Sequence, residues 1–166
     1  MHTAETPRYK TYSARRALRL VGFDYRASRA YHVTWGTYQR RRLLASELLT
    51  RRIARILEQE AARARMILYA YCLMPDHIHL LVQPEANTNL ISFVQGFKSK
   101  TTRAYWRSGG AGKLWQRGFY DHILRRTEDI QQTTRYILAN PVRAGLADDV
   151  TRYTFSGSLV FDTKDL

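Results

Sequence analysis

The chain contains very little cysteine and no long hydrophobic run. Cys72 is its only cysteine among 166 residues, which excludes an intrachain disulfide and a zinc site built from several thiolates. No apolar stretch approaches the roughly 18 residues of a membrane-spanning helix, and the N-terminus lacks the apolar segment of a secretory signal peptide. We therefore expect a cytoplasmic protein without membrane association.

Negative charge is also scarce. The chain has 27 Lys and Arg against 14 Asp and Glu, a formal charge of +13, and 22 of the 27 are Arg. Arginine forms bidentate bonds to phosphate and stacks on flat rings, which lysine does not. Residues 1–45 carry ten basic and two acidic residues, or +8 of the total. This balance favours a polyanionic partner, and a solvated basic surface is the alternative.

Hydrophobic residues make up 45% of the chain, enough to bury one core. The sequence indicates three parts: a basic N-terminal arm over 1–29, a folded domain over 30–146 and a C-terminal tail over 147–166. The chain after Arg143 has no clear periodicity, so we expect it to be irregular.

Hydrophobic periodicity predicts a β-α-β-β-α-β order followed by a further helix. The predicted strands cover 30–38, 66–73, 77–82 and 114–124. The predicted helices run from a cap at Ser46 to about Arg65, over 87–106, and from a cap at Thr127 to Asn140. This order is typical of an α+β fold of the ferredoxin-like, split βαβ kind, with an antiparallel sheet and an added C-terminal helix.

Two histidines begin the third predicted strand. Because side chains alternate along a strand, His77 and His79 share one face while Ile78 belongs to the other, core-facing stripe. Two neighbouring neutral imidazoles can chelate a divalent ion, although a third ligand must come from elsewhere. Asp76 falls on the opposite face of a regular strand and is a weak candidate. Alternatively, both histidines are simply hydrogen-bonded or solvated.

A second candidate group lies on the last predicted helix. Tyr136 and Asn140 are four residues apart and share a face, with Gln132 one turn earlier. If this helix packs beside the histidines, Asn140 can complete a His-His-Asn metal site and the Tyr136 phenol can attack a polarised phosphodiester. Alternatively, Tyr136 is one of 11 tyrosines used for packing or stacking, and Asn140 only ends a helix before a proline.

Three sequence blocks together resemble the single-tyrosine HUH transposases, named for a His, hydrophobic residue, His motif. The blocks are YCLMPDHIHLLV, LWQRGFYDHILR and RYILANPVRAGL. The resemblance is closest to the group that includes the REP-associated tyrosine transposases. It extends from about residue 15 to about residue 145, and the segments RLVGFDYRASRAYHVTW and ISFVQGFKSKTTRAYW belong to it.

The resemblance implies a site and a reaction. His77 and His79 would bind Mg²⁺ or Mn²⁺, Asn140 would be the third ligand, and Tyr136 would be the nucleophile. Some relatives have Gln at the position of Asn140. Members of the family cleave single-stranded DNA, often at the foot of a hairpin, and leave a 5′-phosphotyrosine and a free 3′-hydroxyl. His122 also matches the family pattern, and we interpret it as structural or DNA-facing.

The implied partner is single-stranded or hairpin DNA in the cytoplasm, near the nucleoid. The predicted DNA-binding residues are Arg15, Arg16, Arg40, Arg41, Arg42, Lys98, Lys100, Arg103 and Arg107, and Trp106 and Trp115 are candidate stacking platforms. A catalytically silent hairpin-binding protein and a hydrolase that uses the histidines with water are alternatives. Tyr120 and Tyr153 are alternative nucleophiles, and both a monomer and a homodimer are open.

Overall fold

The computed structural model describes residue 24 and residues 29–85, 87–125 and 129–166, and the fold is given for these residues. Nearly all of the predicted N-terminal arm, including Arg15 and Arg16, lies outside the described residues. Nowhere in the described ranges is a helix long and apolar enough to cross a membrane.

The secondary structure follows the predicted order. The strands are β1 (Tyr31–Gly36), β2 (Met66–Met74), β3 (His77–Pro84), β4 (Tyr120–Ile123) and β5 (Ser156–Gly157), and the helices are α1 (Glu47–Arg63), α2 (Leu90–Arg107), α3 (Ile130–Leu138) and α4 (Asn140–Arg143). The sheet has the order β4-β1-β3-β2-β5, and every neighbouring pair is antiparallel. The first four strands with α1 and α2 confirm the ferredoxin-like plan.

Short polar side chains begin the three long helices. The Ser46 hydroxyl accepts a hydrogen bond from the backbone N–H of Leu49, as predicted for α1. Asn89 caps α2 in the same way. The first turn of α3 is capped by Asp129, whose carboxylate accepts from the Gln131 N–H. The predicted cap, Thr127, lies outside the described residues.

Alternation along the strands gives the sheet two different faces. Tyr31, Val33 and Trp35 of β1 join Ile78 and other β3 residues in the main core under α1 and α2. The opposite face of the sheet is covered by α3, where Ile137 packs in a smaller cluster with Leu81 and Cys72. This second face carries the two histidines of β3, so α3 is positioned directly beside them.

The fourth strand is shorter than predicted, because only residues 120–123 pair with β1. The preceding residues form a loop that includes Gly112 and Gly118 at positive φ. In this loop the backbone N–H of Gln116 donates to the Gly36 carbonyl, and Trp115 makes one isolated bridge with Thr37. Leu114, Trp115 and Phe119 of this loop are buried. Their apolar side chains gave the segment the hydrophobic pattern from which a longer strand was predicted.

The chain after Arg143 is largely irregular, as predicted, but it contains two short regular elements. Residues Val150–Arg152 form a 3-10 turn, and β5 pairs with β2. The Tyr153 hydroxyl donates to the Leu73 carbonyl at 2.9 Å, and the Leu73 N–H donates to the Phe155 carbonyl at 2.8 Å. The tail therefore covers the edge of β2 that β3 leaves unpaired, and forms hydrogen bonds along it. These bonds join residues about 80 positions apart, so local periodicity gave no sign of them.

Candidate active site

His77 and His79 lie side by side on the α3 face of the sheet. Their Nε2 atoms are 3.1 Å apart, and their ring centroids are 4.9 Å apart. Ile78, Leu80 and Val82 are fully buried on the other face, as the alternation predicted. The strand thus directs two imidazole nitrogens toward the same point.

Asp76 and Arg40 hold the His77 ring. The Asp76 carboxylate lies 2.6 Å from His77 Nδ1, and Arg40 forms an ion pair with the other carboxylate oxygen at 3.1 Å. Asp76 stands in the turn before β3, so its side chain reaches His77. The expectation that Asp76 lies on the opposite face is therefore corrected. A carboxylate at Nδ1 fixes the proton there and leaves the Nε2 lone pair available.

His79 is held from the neighbouring strand. Its Nδ1 lies 3.0 Å from the Thr34 hydroxyl and 3.2 Å from His32 Nε2. Burial, and then the neighbouring His32 and His77, hold the pKa of His79 well below its usual value. Burial, and then His122, lower the pKa of His32 to about 4. Both rings are therefore neutral near pH 7, and only neutral imidazole coordinates a metal.

Sequence reasoning missed His32, although its signal was present. Tyr31, Val33 and Trp35 form the apolar stripe of β1, so His32 and Thr34 must share the opposite face. His32 is directly opposite His122 of β4 in the sheet register. With His77 and His79, four of the five histidines of the chain therefore lie on one face of the sheet.

Helix α3 brings Tyr136 to these histidines. The Tyr136 ring centroid lies 6.3 Å from that of His32 in an edge-on arrangement, and the His32 centroid lies 5.4 Å from that of His79. The Arg143 guanidinium lies 4.1 Å from the centroid of the Tyr136 ring. Arg143 was not among the predicted residues. The hypothesis that the Tyr136 helix packs beside the histidine face is thus matched by the geometry.

Asn140 is engaged within its own helical segment. Its side-chain NH₂ donates to the Ile137 carbonyl at 3.0 Å, and its Oδ1 accepts from Arg143 at 2.9 Å. The oxygen predicted to bind a metal therefore accepts a hydrogen bond from a guanidinium and keeps one lone pair. Gln132, one turn before Tyr136, is exposed.

The two alternative nucleophiles differ from Tyr136 in their surroundings. The Tyr153 phenol donates to the Leu73 carbonyl, and burial raises its pKa to about 12. Tyr120 is largely exposed at the start of β4. Neither residue has a described contact with the metal-binding candidates, so Tyr136 is the tyrosine whose ring packs against the histidine group.

The histidine pair fits a divalent cation at two coordination positions. Adjacent ligands of an octahedral ion at about 2.1 Å are separated by about 3.0 Å, close to the observed distance between the Nε2 atoms. No cluster of three or more His, Cys, Asp or Glu side chains that could hold a metal ion occurs within the described part of the chain. Asn140, the third ligand that the sequence predicted, is an amide and so lies outside these residue types.

The predicted DNA-binding residues fall into three groups. Arg41 and Arg42 are exposed beyond β1, close to Arg40. The Lys98 ammonium donates to the carbonyls of Gln116 and Gly118, and thus holds the loop before β4. Lys100, Arg103 and Arg107 of α2 line a groove of about 280 Å³ with Arg52, Ile56 and Ala104.

Within this basic groove, Lys100 has a structural partner. Its ammonium and the Arg63 guanidinium both bind the carboxylate of Glu60, which is only 2% exposed. The hydrogen bond from Arg63 is the main reason that the pKa of Glu60 is lowered. The charge of Lys100 is therefore largely compensated, whereas Arg52, Arg103 and Arg107 have no ion pair among the described residues.

Comparisons with known proteins agree with the geometry. Residues 26–140 match the family model described as transposase, IS200-like. The chain is 33% identical to a REP-associated tyrosine transposase of Haemophilus influenzae, covering 52% of this chain and 56% of that protein. It is 31% identical to one of Escherichia coli, covering 52% and 51%. The chain thus spans about half the length of these curated relatives.

A solved structure has the same fold. It is that of a REP-associated tyrosine transposase bound to a REP hairpin, and it superimposes with a TM-score of 0.63. The match has 23% sequence identity and covers 78% of this chain and 76% of that one.

Proposed function

Since the chain belongs to the family of IS200-like transposases, we propose that it nicks and joins single-stranded DNA at hairpins through a 5′-phosphotyrosine. The single observation that carries this proposal is the convergence of His77, His79 and Tyr136 on one face of the sheet. Its site of action would be chromosomal DNA in the cytoplasm.

The histidines would hold Mg²⁺ or Mn²⁺ through their Nε2 atoms, and Asn140 would add its Oδ1 once Arg143 releases it. When bound, such a cation polarises a phosphodiester and neutralises charge on its oxygens. The donor set supports this role at two positions, because Asp76 fixes the tautomer of His77 and Thr34 and His32 contact the distal nitrogen of His79.

Tyr136 would provide the nucleophile. Its Oη forms a bond to the phosphorus while the bond from phosphorus to O3′ breaks, and the phenolic proton passes to solvent. The leaving O3′ takes up a proton and becomes a free 3′-hydroxyl. A phosphodiester bond is thereby preserved in the phosphotyrosine, so the later joining needs no nucleotide cofactor. The Arg143 guanidinium, already against the Tyr136 ring, would offer its positive charge to the phosphate.

Hairpin DNA is the proposed substrate for two reasons. A structural neighbour of the same fold is bound to a REP hairpin. The α1–α2 groove offers the cations that a nucleic-acid backbone requires. A homodimer stays a prediction.

One observation favours a second function, that of a silent hairpin-binding protein. The Asn140 oxygen accepts a hydrogen bond from Arg143, so a guanidinium charge stands beside the oxygen that a metal ion would have to approach. If Arg143 does not move when DNA binds, the protein would bind hairpins without cutting them.

Adduct formation distinguishes the two functions. Hairpin oligonucleotides with single-stranded flanks, taken from around the native gene, are incubated with the protein and Mn²⁺ and separated on a denaturing gel. We expect a covalent protein–DNA band that EDTA prevents. Tight hairpin binding without a band, across all flanking sequences present at the locus, would instead support the silent binder.

The basic groove supplies a separate prediction about binding. Replacing Arg52 or Arg107 by alanine should weaken hairpin binding to a similar degree for different sequences, because phosphate contacts carry no base information. Each change should reduce the slope of log affinity against log salt by about 1. Fluorescence anisotropy across a salt series measures this slope. Arg55→Ala is the matched control, since Arg55 is exposed on α1 but outside the groove, and an equal effect there would contradict the assignment.

A further inference from the structure

A second hollow, of about 420 Å³, lies between the C-terminal half of α2 and the loop before β4. Trp106 lines it and is 53% exposed, whereas Trp35 is fully buried and Trp115 is 7% exposed. Tryptophan side chains are highly buried on average, whereas about half of the Trp106 side chain is open to solvent. The Trp106 side chain is nevertheless fixed, because its indole N–H donates to the Gly112 carbonyl at 2.8 Å.

Positive charge surrounds this exposed ring. Arg103 lines both the hollow and the basic groove of α1 and α2, so the two depressions meet at its side chain. Lys113 lines the other side, with its ammonium 5.5 Å from the Tyr38 ring centroid. A fixed aromatic face between two cations is the arrangement that binds a nucleotide, with the base on the ring and the phosphates on the cations.

The hollow is joined to the histidine pair through Gly36. Gln116 lines the hollow, and its N–H donates to the Gly36 carbonyl. Gly36 pairs with His77 in the sheet. A Cβ on Gly36 would stand 2.8 Å from Arg40 Cδ and 2.9 Å from Gln116 Oε1, so both side chains approach the Gly36 backbone closely. Arg40 in turn contacts Asp76, which holds His77.

We propose that this hollow binds an unpaired base of the single strand next to the hairpin. The base stacks on Trp106, and Arg103 and Lys113 bind the adjoining phosphates. Gln116 at the rim of the hollow bonds to Gly36, whose neighbour across the sheet is His77, so a strand held in the hollow would lead around this end of the sheet toward the histidine pair. The inference rests on the proposed function and adds to it a site that discriminates unpaired from paired DNA.

Two DNA ligands and two variants test the proposal. The ligands are one hairpin with a single-stranded flank and the same hairpin with a blunt end. Trp106→Ala should lower affinity for the flanked hairpin about 5- to 100-fold and leave affinity for the blunt hairpin unchanged. Trp106→Phe should retain most of the affinity, because phenylalanine stacks but cannot bond to Gly112. Leu48→Ala, which also removes an exposed apolar side chain, is the control.

Tryptophan fluorescence gives a direct readout, since Trp106 is the exposed one of the three tryptophans. The flanked hairpin should quench the emission of the wild-type protein and not that of Trp106→Ala. Absence of quenching, or an equal affinity loss for both ligands, would overturn the base site. A protein that forms adducts normally after Trp106→Ala and binds both ligands unchanged would contradict this site alone. Trp106-dependent binding without any adduct would contradict the proposed chemistry and leave the base site supported.

Discussion

Replacing Tyr136 by phenylalanine should abolish the covalent protein–DNA band while hairpin binding persists. The change removes only the phenolic oxygen, and the ring can still pack beside His32 and under Arg143. Without that oxygen no phosphotyrosine forms, so the adduct should fall by more than about a thousandfold. The measurement is the same denaturing gel, with binding followed separately by anisotropy.

Tyr153→Phe is the matched control for this prediction. It also removes one phenolic oxygen, but that oxygen bonds to the Leu73 carbonyl and holds the C-terminal tail. The control should form the adduct at the wild-type level. A band that survives Tyr136→Phe would identify another nucleophile, and DNA cleavage without any band would indicate a hydrolase that uses water.

Periodicity within single elements predicted the parts of the site that lie on one element. Strand alternation placed His77 and His79 on the face away from Ile78, and helical spacing placed Tyr136 and Asn140 together. The two histidines are two strand positions apart, and Tyr136 and Asn140 are about one helical turn apart. Both relations are therefore local in the sequence. The ferredoxin-like order could also be predicted, because the β-α-β-β-α-β succession leaves few ways to pair the strands.

Features that depend on contacts between distant segments could not be predicted in this way. His32 approaches His79 because the β1–β3 register sets Thr34 opposite His79, and the sequence does not give that register. Arg143 reaches Tyr136 because the chain turns at Asn140 into α4. The tail binds β2 from about 80 residues away. Each of these contacts depends on how the chain pairs or turns beyond a single element, which the periodicity within that element does not encode.

The second large effect is expected at the metal site. His79→Ala should abolish both Mn²⁺ binding and the adduct, because it removes one of the two Nε2 donors. Mn²⁺ affinity can be measured without DNA, by the loss of the free-ion signal in electron paramagnetic resonance. This readout separates metal binding from every later step of the reaction. His122→Ala is the control, because His122 lies on the same face but on β4, two strands from His79.

His32 should matter to the metal without binding it. When His79 Nε2 faces a cation, its proton is on Nδ1, where Thr34 and His32 are the acceptors within reach. Replacing His32 by phenylalanine keeps a buried ring but removes an acceptor, and should weaken Mn²⁺ binding about 10- to 100-fold. A loss as complete as that of His79→Ala would mean that His32 coordinates directly. No loss, with Thr34→Val reducing affinity instead, would show that the hydroxyl alone orients His79.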